Sequence, residues 1–529
     1  METREVNFGY IDKFSAAARI FAKPNRCSRN FYDDEDYLRR TGSPSRFRSS
    51  RPSTPSNQDT DHSSYSSDIR KGPYCHEVGQ CLDGSSVLLR TMSSLFMDQE
   101  LSDISITVGQ KLFHAHKLLL CLSSDVFKVM LTNPQWPESQ KGHIVLREEP
   151  ECIHVFPKFL KFFYTGIIQL NHTEVLPLLM LADKYNVVEL RMICVDYMCS
   201  HVVTITRQNR AVSWYQYAKL CGHDALVTTC EDFICYNFHK VMSTEDFLLM
   251  ERCHLLEILK RSDVVIPDEY TLYRGIIRWL DSQEMKVSST EEFQEIVYDV
   301  MSCIRFRMML PSQLKELDHE PLNAAFACYF KSKISDAYEY QMSPQDVPMN
   351  GYQTSSTSCQ VAQSHPRNYI NDTWGTAFVI DNFSSLPLHE VRPLFFSSPV
   401  SGSKADENRC LEWNVDLFPK GVMFQKCTLI GLWRNLEVSG TMYNTVRLTL
   451  EAKPPELRRV DVSVLIFGVQ DNVEYVKRVI HKRCIFDKTH NLHKIDDLVP
   501  YEELNAIYSP YLTGADGNSF KIIIVIKPV

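Results

Sequence analysis

The stretch Leu101-Ser-Asp103-Ile-Ser-Ile-Thr-Val108-Gly-Gln-Lys-Leu-Phe113-His-Ala115-His116-Lys117-Leu-Leu-Leu-Cys121-Leu-Ser-Ser124 decides the fold. Ile104, Ile106 and Val108 alternate with Ser105 and Thr107, the period of a strand with one buried face. Gly109-Gln110 supplies a hairpin turn, and Leu112 to Ala115 supplies the returning strand. Lys117 to Met130 then reads as a helix. Strand, turn, strand and helix within thirty or so residues predict an α/β domain.

On the N-terminal side, Leu88, Met92 and Leu95 are spaced i, i+4, i+7, with Leu89 and Phe96 beside them. That is one apolar helix face, and it must be buried somewhere. Further back, Thr41 to Ser67 is rich in Ser, Arg and Pro and has few large apolar residues, so it is expected to be disordered. Ser43-Pro44 and Thr54-Pro55 lie there near Arg46, Arg48 and Arg51. An inert solvated tail is the expectation, with proline-directed phosphorylation or a localisation signal as the alternative.

On the C-terminal side, residues 151–200 give apolar helices broken at Tyr164-Thr165-Gly166. Residues 201–335 keep a helical period. Leu272, Ile276 and Leu280 share one face, flanked by Ile277 and Trp279, while Pro267 and Pro311 punctuate the helices. Ser243-Thr-Glu-Asp246 ahead of Phe247-Leu248-Leu249-Met250 fits a capped helix start. A polar stretch centred on Ser355-Ser356-Thr357-Ser358 reads as a linker. Beyond it the period becomes two, in Val446-Arg-Leu448-Thr-Leu450, Val462-Ser-Val464-Leu-Ile466 and Phe520-Lys-Ile522-Ile-Ile524. Short strands at this spacing predict a sandwich. The expected organisation is a tail over 1–75, an α/β domain over 76–200, an all-α domain over 201–335, a linker over 336–366 and an all-β sandwich over 367–529.

The net charge of −8 argues against a general polyanion binder, so no nucleic-acid partner is expected. No run approaches about 18 uninterrupted apolar residues, so no membrane insertion is expected. The 17 cysteines include no Cys-x-x-Cys pair and sit in apolar runs such as Leu120-Cys121-Leu122. They read as reduced thiols of a cytoplasmic or nuclear protein. Cys194/Cys199 and Cys230/Cys235 fall at helical positions and read as core. The first residues lack a signal-peptide apolar core, so the sequons at Asn171, Asn371 and Asn382 are expected to be chance matches. The sequence has no Gly-rich phosphate loop, no Gly-x-Ser-x-Gly and no His-Glu-x-x-His, which argues against an enzyme. His114 and His116 lie near Cys121, but Cys121 belongs to the next helix and no second pair accompanies them. No metal or cofactor is expected.

The stretch from Leu101 to Lys117, with Leu122-Ser123-Ser124, resembles the opening of a BTB/POZ domain. Tyr164-Thr165-Gly166, Ala182-Asp183-Lys184-Tyr185, Leu190 and Cys194 resemble its later signature, in the family's order. The following helices resemble a BACK domain. Trp413-Asn-Val415-Asp-Leu-Phe-Pro419-Lys420-Gly421, Ile495-Asp496-Asp497-Leu498 and the strand from Lys521 to Val529 are similar to a MATH/TRAF sandwich. The three-part order resembles the galectin-3-binding-protein-like BTB subfamily, in particular the Tango-ten group. Some proteins of that architecture are secreted, and the missing signal peptide is a departure from them.

The resemblance implies a homodimer in which the face of Leu88, Met92 and Leu95 packs on a second subunit. Packing on its own domain is the alternative. It implies a charged pair of Asp103 with Lys117 near that interface, against two separately exposed charges. In BTB proteins that recruit cullin-3, a hydrophobic residue, any residue and Glu occupy the position of Trp136-Pro137-Glu138. A Trp anchor, a Glu at the rim and a stiffening Pro suit an interface loop. A Trp folded back on its own core is the alternative. MATH folds hold extended peptides across a sheet, so the sandwich is expected to hold a protein cargo. Trp374, Trp413 and Trp433 are candidate groove aromatics, with core packing the plainer reading for each. The resemblance thus implies a substrate adaptor of a cullin-3 ubiquitin ligase. A scaffold without cullin, in secretory-pathway organisation or nuclear regulation, and a secreted glycan-associated protein are the alternatives.

Overall fold

Alternation in the deciding stretch becomes a hairpin. In the computed structural model, which describes residues 84–285, 289–344, 363–424, 427–430, 435–438, 441–454 and 458–529, β1 (Ile104–Val108) pairs antiparallel with β2 (Lys111–Ala115). Gly109 takes φ 59°, as the first central residue of a two-residue turn of this hand requires. β3 (His143–Leu146) adds parallel to β1, so that Ile106 faces Phe113 on one side and Ile144 on the other. The tract Thr41–Ser67, the serines around Ser355 and Trp433 lie outside the described residues.

The expected helix from Lys117 to Met130 is two helices, Lys117–Ser123 and Asp125–Thr132. Ser124 breaks it with φ −147°. Its hydroxyl accepts the Phe127 N–H at 3.0 Å and donates to the Tyr185 carbonyl. Tyr185 stacks on Phe127, with ring centroids 4.5 Å apart. The motif Ala182–Tyr185 therefore acts by pinning that break. Helix Pro150–Thr165 buries Phe156, Phe159 and Leu160 and ends at Gly166, left-handed at φ 62°. The Tyr164 oxygen accepts the His116 N–H at 3.1 Å.

The middle region is helical, and Leu272, Ile276, Trp279 and Leu280 are buried along helix Glu269–Glu284. The capped start read at Ser243–Asp246 is present, with Thr244 as its cap. Thr244 accepts the Phe247 N–H at 3.1 Å, and the element it opens is one short turn, Asp246–Leu249. Asp246 caps helix Ala211–Cys221 from 33 and 34 residues away, accepting the N–H groups of Val212 at 2.8 Å and Ser213 at 3.0 Å. The last helix runs from Ala327 to Met342, into the span read as linker.

The C-terminal region is a two-sheet sandwich. One sheet has the order β16 (Leu492–Ile495), β13 (Arg447–Lys453), β8 (Cys410–Phe418), β7 (Arg392–Pro399). The other has β15 (Val473–Phe486), β14 (Arg458–Gln470) and β18 (Ser519–Pro528), with β6 (Gly375–Ile380) and β17 (Leu512–Thr513) also paired to β18. The short hairpin pairs β9 (Val422–Phe424) with β12 (Thr441–Tyr443) and β10 (Cys427–Ile430) with β11 (Asn435–Val438) extend from β8. Trp413, Val464 and Ile524 lie in the core between the sheets. Lys420, at the turn closed by Gly421, is largely buried and donates to the carbonyls of Ser384 (3.0 Å) and Leu386 (2.9 Å).

Strand β14 departs from the expected alternation. Val460, Val462, Val464 and Ile466 face the sandwich core, but Asp461, Ser463 and Leu465 on the opposite face are buried too. The helical region covers that face. Asn237, fully buried, offers its amide to both backbone groups of Val476, donating to the carbonyl at 3.0 Å and accepting the N–H at 2.8 Å. Two-residue strands β4 (Val265–Ile266) and β5 (Asn368–Tyr369) pair in parallel across the junction.

Beneath them lies a polar plug. Arg367 and Glu269 are both fully buried and bonded at 2.7 Å. Glu269 also accepts the Tyr369 hydroxyl at 2.9 Å and the Arg305 N–H at 3.2 Å. Lys527, from β18, donates to the Asn368 side chain at 2.9 Å. Burial pushes the Lys527 ammonium down to about 8 and the Arg305 guanidinium down to about 10. The helical region and the sandwich share one interior here.

Candidate functional site

The loop after helix Asp125–Thr132 is built by short-range backbone bonds. Asn133 closes the helix, and its carbonyl accepts the Trp136 N–H at 3.0 Å. Pro137 then starts a single tight turn, Pro137–Gln140, in which the Ser139 N–H (3.1 Å) and hydroxyl (2.8 Å) both return to the Trp136 carbonyl. Trp136 sits at the start of that turn with 38% of its surface exposed. Glu138 is half-buried and forms no ion pair among the described residues. An aromatic face and a free carboxylate are thus held two residues apart on a fixed loop.

Leu88 in helix Ser85–Ser94 is 64% exposed, Met92 and Leu95 are half-buried, and no residue of that helix is fully buried. Asp103 does not meet the Lys117 ammonium. Its carboxylate accepts the backbone N–H of Lys117 at 2.7 Å, satisfying a first-turn donor of helix Lys117–Ser123. That helix also holds Leu118 and Leu122, exposed by 67% and 74%, neither of which was named from the sequence as an interface residue. The signal was present, since a two-turn helix that is apolar on every side has one face more than its own core needs.

His114, His116 and Cys121 do not converge on a ligand set. Among the described residues, Asp183, Cys221 and His223 do come together. Asp183 is already engaged by Arg191 at 2.7 Å, by Tyr217 at 2.8 Å and by His223 at 2.8 Å. This cluster joins the α/β domain to the first helices of the middle region. Burial pushes the thiols of Cys152, Cys194 and Cys235 up to about 12, as expected for inert core residues. Among the described residues no helix is long and apolar enough to cross a membrane.

In the sandwich, Trp413 is core and donates to Ser398 at 2.9 Å, and Trp374 is also buried, so neither lines a groove. Helices cover the outer face of the five-stranded sheet. The outer face of the four-stranded sheet is the open one. Pro393, Phe395 and Ser397 of β7 lie there beside Asp416, Asn414 and Glu412 of β8.

Comparison with known proteins agrees with this division. The family description "BTB/POZ domain" matches residues 92–202, "BTB And C-terminal Kelch" matches 211–318, and "BTBD17 TRAF domain" matches 364–529. BTB/POZ domain-containing protein 17 of Xenopus laevis is 27% identical over 464 residues, covering 85% of this chain and 92% of its own length. Galectin-3-binding protein of Rattus norvegicus is 26% identical over 310 residues, 58% of this chain and 51% of its own. Kelch-like protein 7 of Mus musculus is 26% identical over 257 residues, 48% of this chain and 42% of its own. The chain thus carries a BTB/POZ domain, a BACK domain and a BTBD17-type TRAF domain, in that order.

Proposed function

We propose that the protein is a non-enzymatic substrate adaptor of a cullin-3 ubiquitin ligase, working as a homodimer in the cytoplasm. The exposed Trp136, fixed on its turn with Glu138 two residues on, carries this reading. Trp136 supplies an apolar anchor to cullin-3, and Glu138 accepts hydrogen bonds at the rim. Leu88, Met92 and Leu95 supply apolar surface for a two-fold interface. The sandwich holds an unidentified protein cargo. The adaptor raises the local concentration of cargo at the ligase, and two arms per dimer add avidity.

Co-precipitation of cullin-3 with wild type and with Trp136→Ala/Glu138→Ala tests this. Cullin-3 is expected with wild type and absent with the variant, while light scattering gives both the mass of a dimer. Equal recovery of cullin-3 in both leaves a scaffold that does not use this loop.

A further inference from the structure

A sheet edge is a row of backbone donors and acceptors awaiting a strand, and folded proteins usually close it. Three edge sites here are closed. Asn237 occupies both backbone groups of Val476 in β15, and His493 bonds the Ile485 carbonyl of the same strand at 2.8 Å. In the four-residue β16, the Lys482 ammonium sits on the Lys494 carbonyl. Strand β7 is different. It is eight residues long, lies at the end of its sheet, and pairs on its other side with nothing among the described residues. Phe395, at its centre, is 69% exposed. Pro393 and Pro399 flank the open stretch and have no N–H to offer, which limits pairing to a short segment.

The surroundings specify chemistry. Side chains of β7 and β8 on the open face fall in rows, Pro393 with Asp416, Phe395 with Asn414 and Ser397 with Glu412. The strand beside β7 thus presents two carboxylates either side of the Phe395 row, and Glu451 of β13, opposite Asn414, adds a third, while Lys453 of β13, opposite Glu412, reaches over the Phe395 ring at 6.0 Å. An added strand would lie about 10 Å from β8, two strand spacings, a span that lysine or arginine bridges and shorter side chains do not.

We propose that β7 takes up, by strand addition, a short extended segment of a partner in which an apolar residue beside Phe395 is flanked two positions either side by Lys or Arg, reaching Glu412 and Asp416. This rests on the reading of the sandwich as the cargo module, and it names the edge and the class of segment.

The test uses the full chain and two synthetic ten-residue peptide libraries, one fixed as basic-x-apolar-x-basic and one as acidic-x-apolar-x-acidic, with binding read by fluorescence polarisation. The basic library is expected to bind and the acidic one not to. Phe395→Glu weakens binding at least about tenfold, Glu412→Lys weakens binding of the basic library, Glu412→Lys combined with Asp416→Lys reverses the preference towards acidic peptides, and Leu492→Glu on β16 changes nothing. Phe395, Glu412 and Leu492 are exposed, and unchanged melting of each variant confirms that it folds. Basic peptides that bind regardless of Phe395→Glu and Glu412→Lys, or that are lost with Leu492→Glu, would overturn the edge assignment and leave the cargo reading standing. Preference for the acidic library by wild type would overturn the charge assignment. Retention of neither library would overturn this proposal together with the peptide-binding reading of the sandwich.

Discussion

Arg367→Met is the sharpest probe of the BACK–sandwich junction. In wild type the guanidinium donates to Glu269 at 2.7 Å, to the Cys303 carbonyl at 2.9 Å and to the Arg261 carbonyl. Removing it strands the Glu269 carboxylate in a site with no exposure, and losing one partner of such a pair costs about 3–5 kcal/mol. The Arg261 carbonyl keeps a donor in Arg305, at 3.2 Å, whereas the Cys303 carbonyl loses its donor, adding about 1 kcal/mol. The opening free energy of the junction should therefore fall by about 4–6 kcal/mol. Hydrogen exchange reads this locally. The amides of Asn368 and Ile370 bond the carbonyls of Val264 (3.2 Å) and Ile266 (3.0 Å) across the junction, and their exchange should accelerate by about a thousandfold or more, at 1.4 kcal/mol per factor of ten. Adding Glu269→Gln removes the stranded charge but keeps an acceptor for Tyr369, so the double variant should regain at least half of the lost protection. Exchange within about tenfold of wild type in the single variant, or faster exchange in the double than in the single, would refute the plug as the element that locks the junction.

Three further predictions are independent of it. Leu88→Asp combined with Met92→Asp should halve the mass seen by light scattering at unchanged melting temperature; a retained dimer would place the interface elsewhere. Lys527 has its pKa depressed in the folded state, to about 8 from 10.5, so between these values the unfolded chain holds more protons and this group's contribution to stability rises with pH. Wild type should thus gain about 3 kcal/mol over Lys527→Met between pH 8 and 10.5, at about 1.4 kcal/mol per unit, and parallel melting curves against pH for the two would contradict this. Asp246→Ala removes the cap of helix Ala211–Cys221 and should cost about 1–2 kcal/mol in denaturant unfolding, with a loss below about 0.5 kcal/mol as the refuting result.

Local signals were legible in the sequence where local forces decide. The alternation at Ile104, Ile106 and Val108 gave the strand, and Gly109 the turn, because both depend on neighbours in sequence. The polar residues around Trp136 marked an exposed loop correctly. Ser124 was missed as a helix break because Leu118 to Met130 holds no Gly or Pro, and the break is fixed by Tyr185, 61 residues on. Ser243–Asp246 read only as a local capped start, yet the Asp246 carboxylate serves a helix that precedes it in the chain. The polar plug was illegible for a related reason. Glu269, Arg305, Arg367 and Lys527 lie far apart in sequence, and each alone reads as a surface charge. Ser463 and Asp461 looked like solvent positions on a one-sided strand, because nothing local announces that helices cover the second face.

That second covered face changes how the parts cooperate. Had the sandwich hung from a free tether spanning 336–366, its position relative to BACK would have varied over about 30 Å, the r.m.s. reach of such a coil. Helix Ala327–Met342 instead carries order into that span, Gln341 bonds the Gly402 carbonyl at 2.9 Å, and β5 returns to pair with β4. Asn237, the Arg367–Glu269 plug and Lys527 then fix the five-stranded sheet on the helices. Among the described residues, one sheet is used for attachment and the other is left open to a partner. In the adaptor proposed above, the distance between Trp136 and the β7 edge would be set by packing rather than by linker length, so the effective concentration of cargo would depend on geometry held by buried bonds.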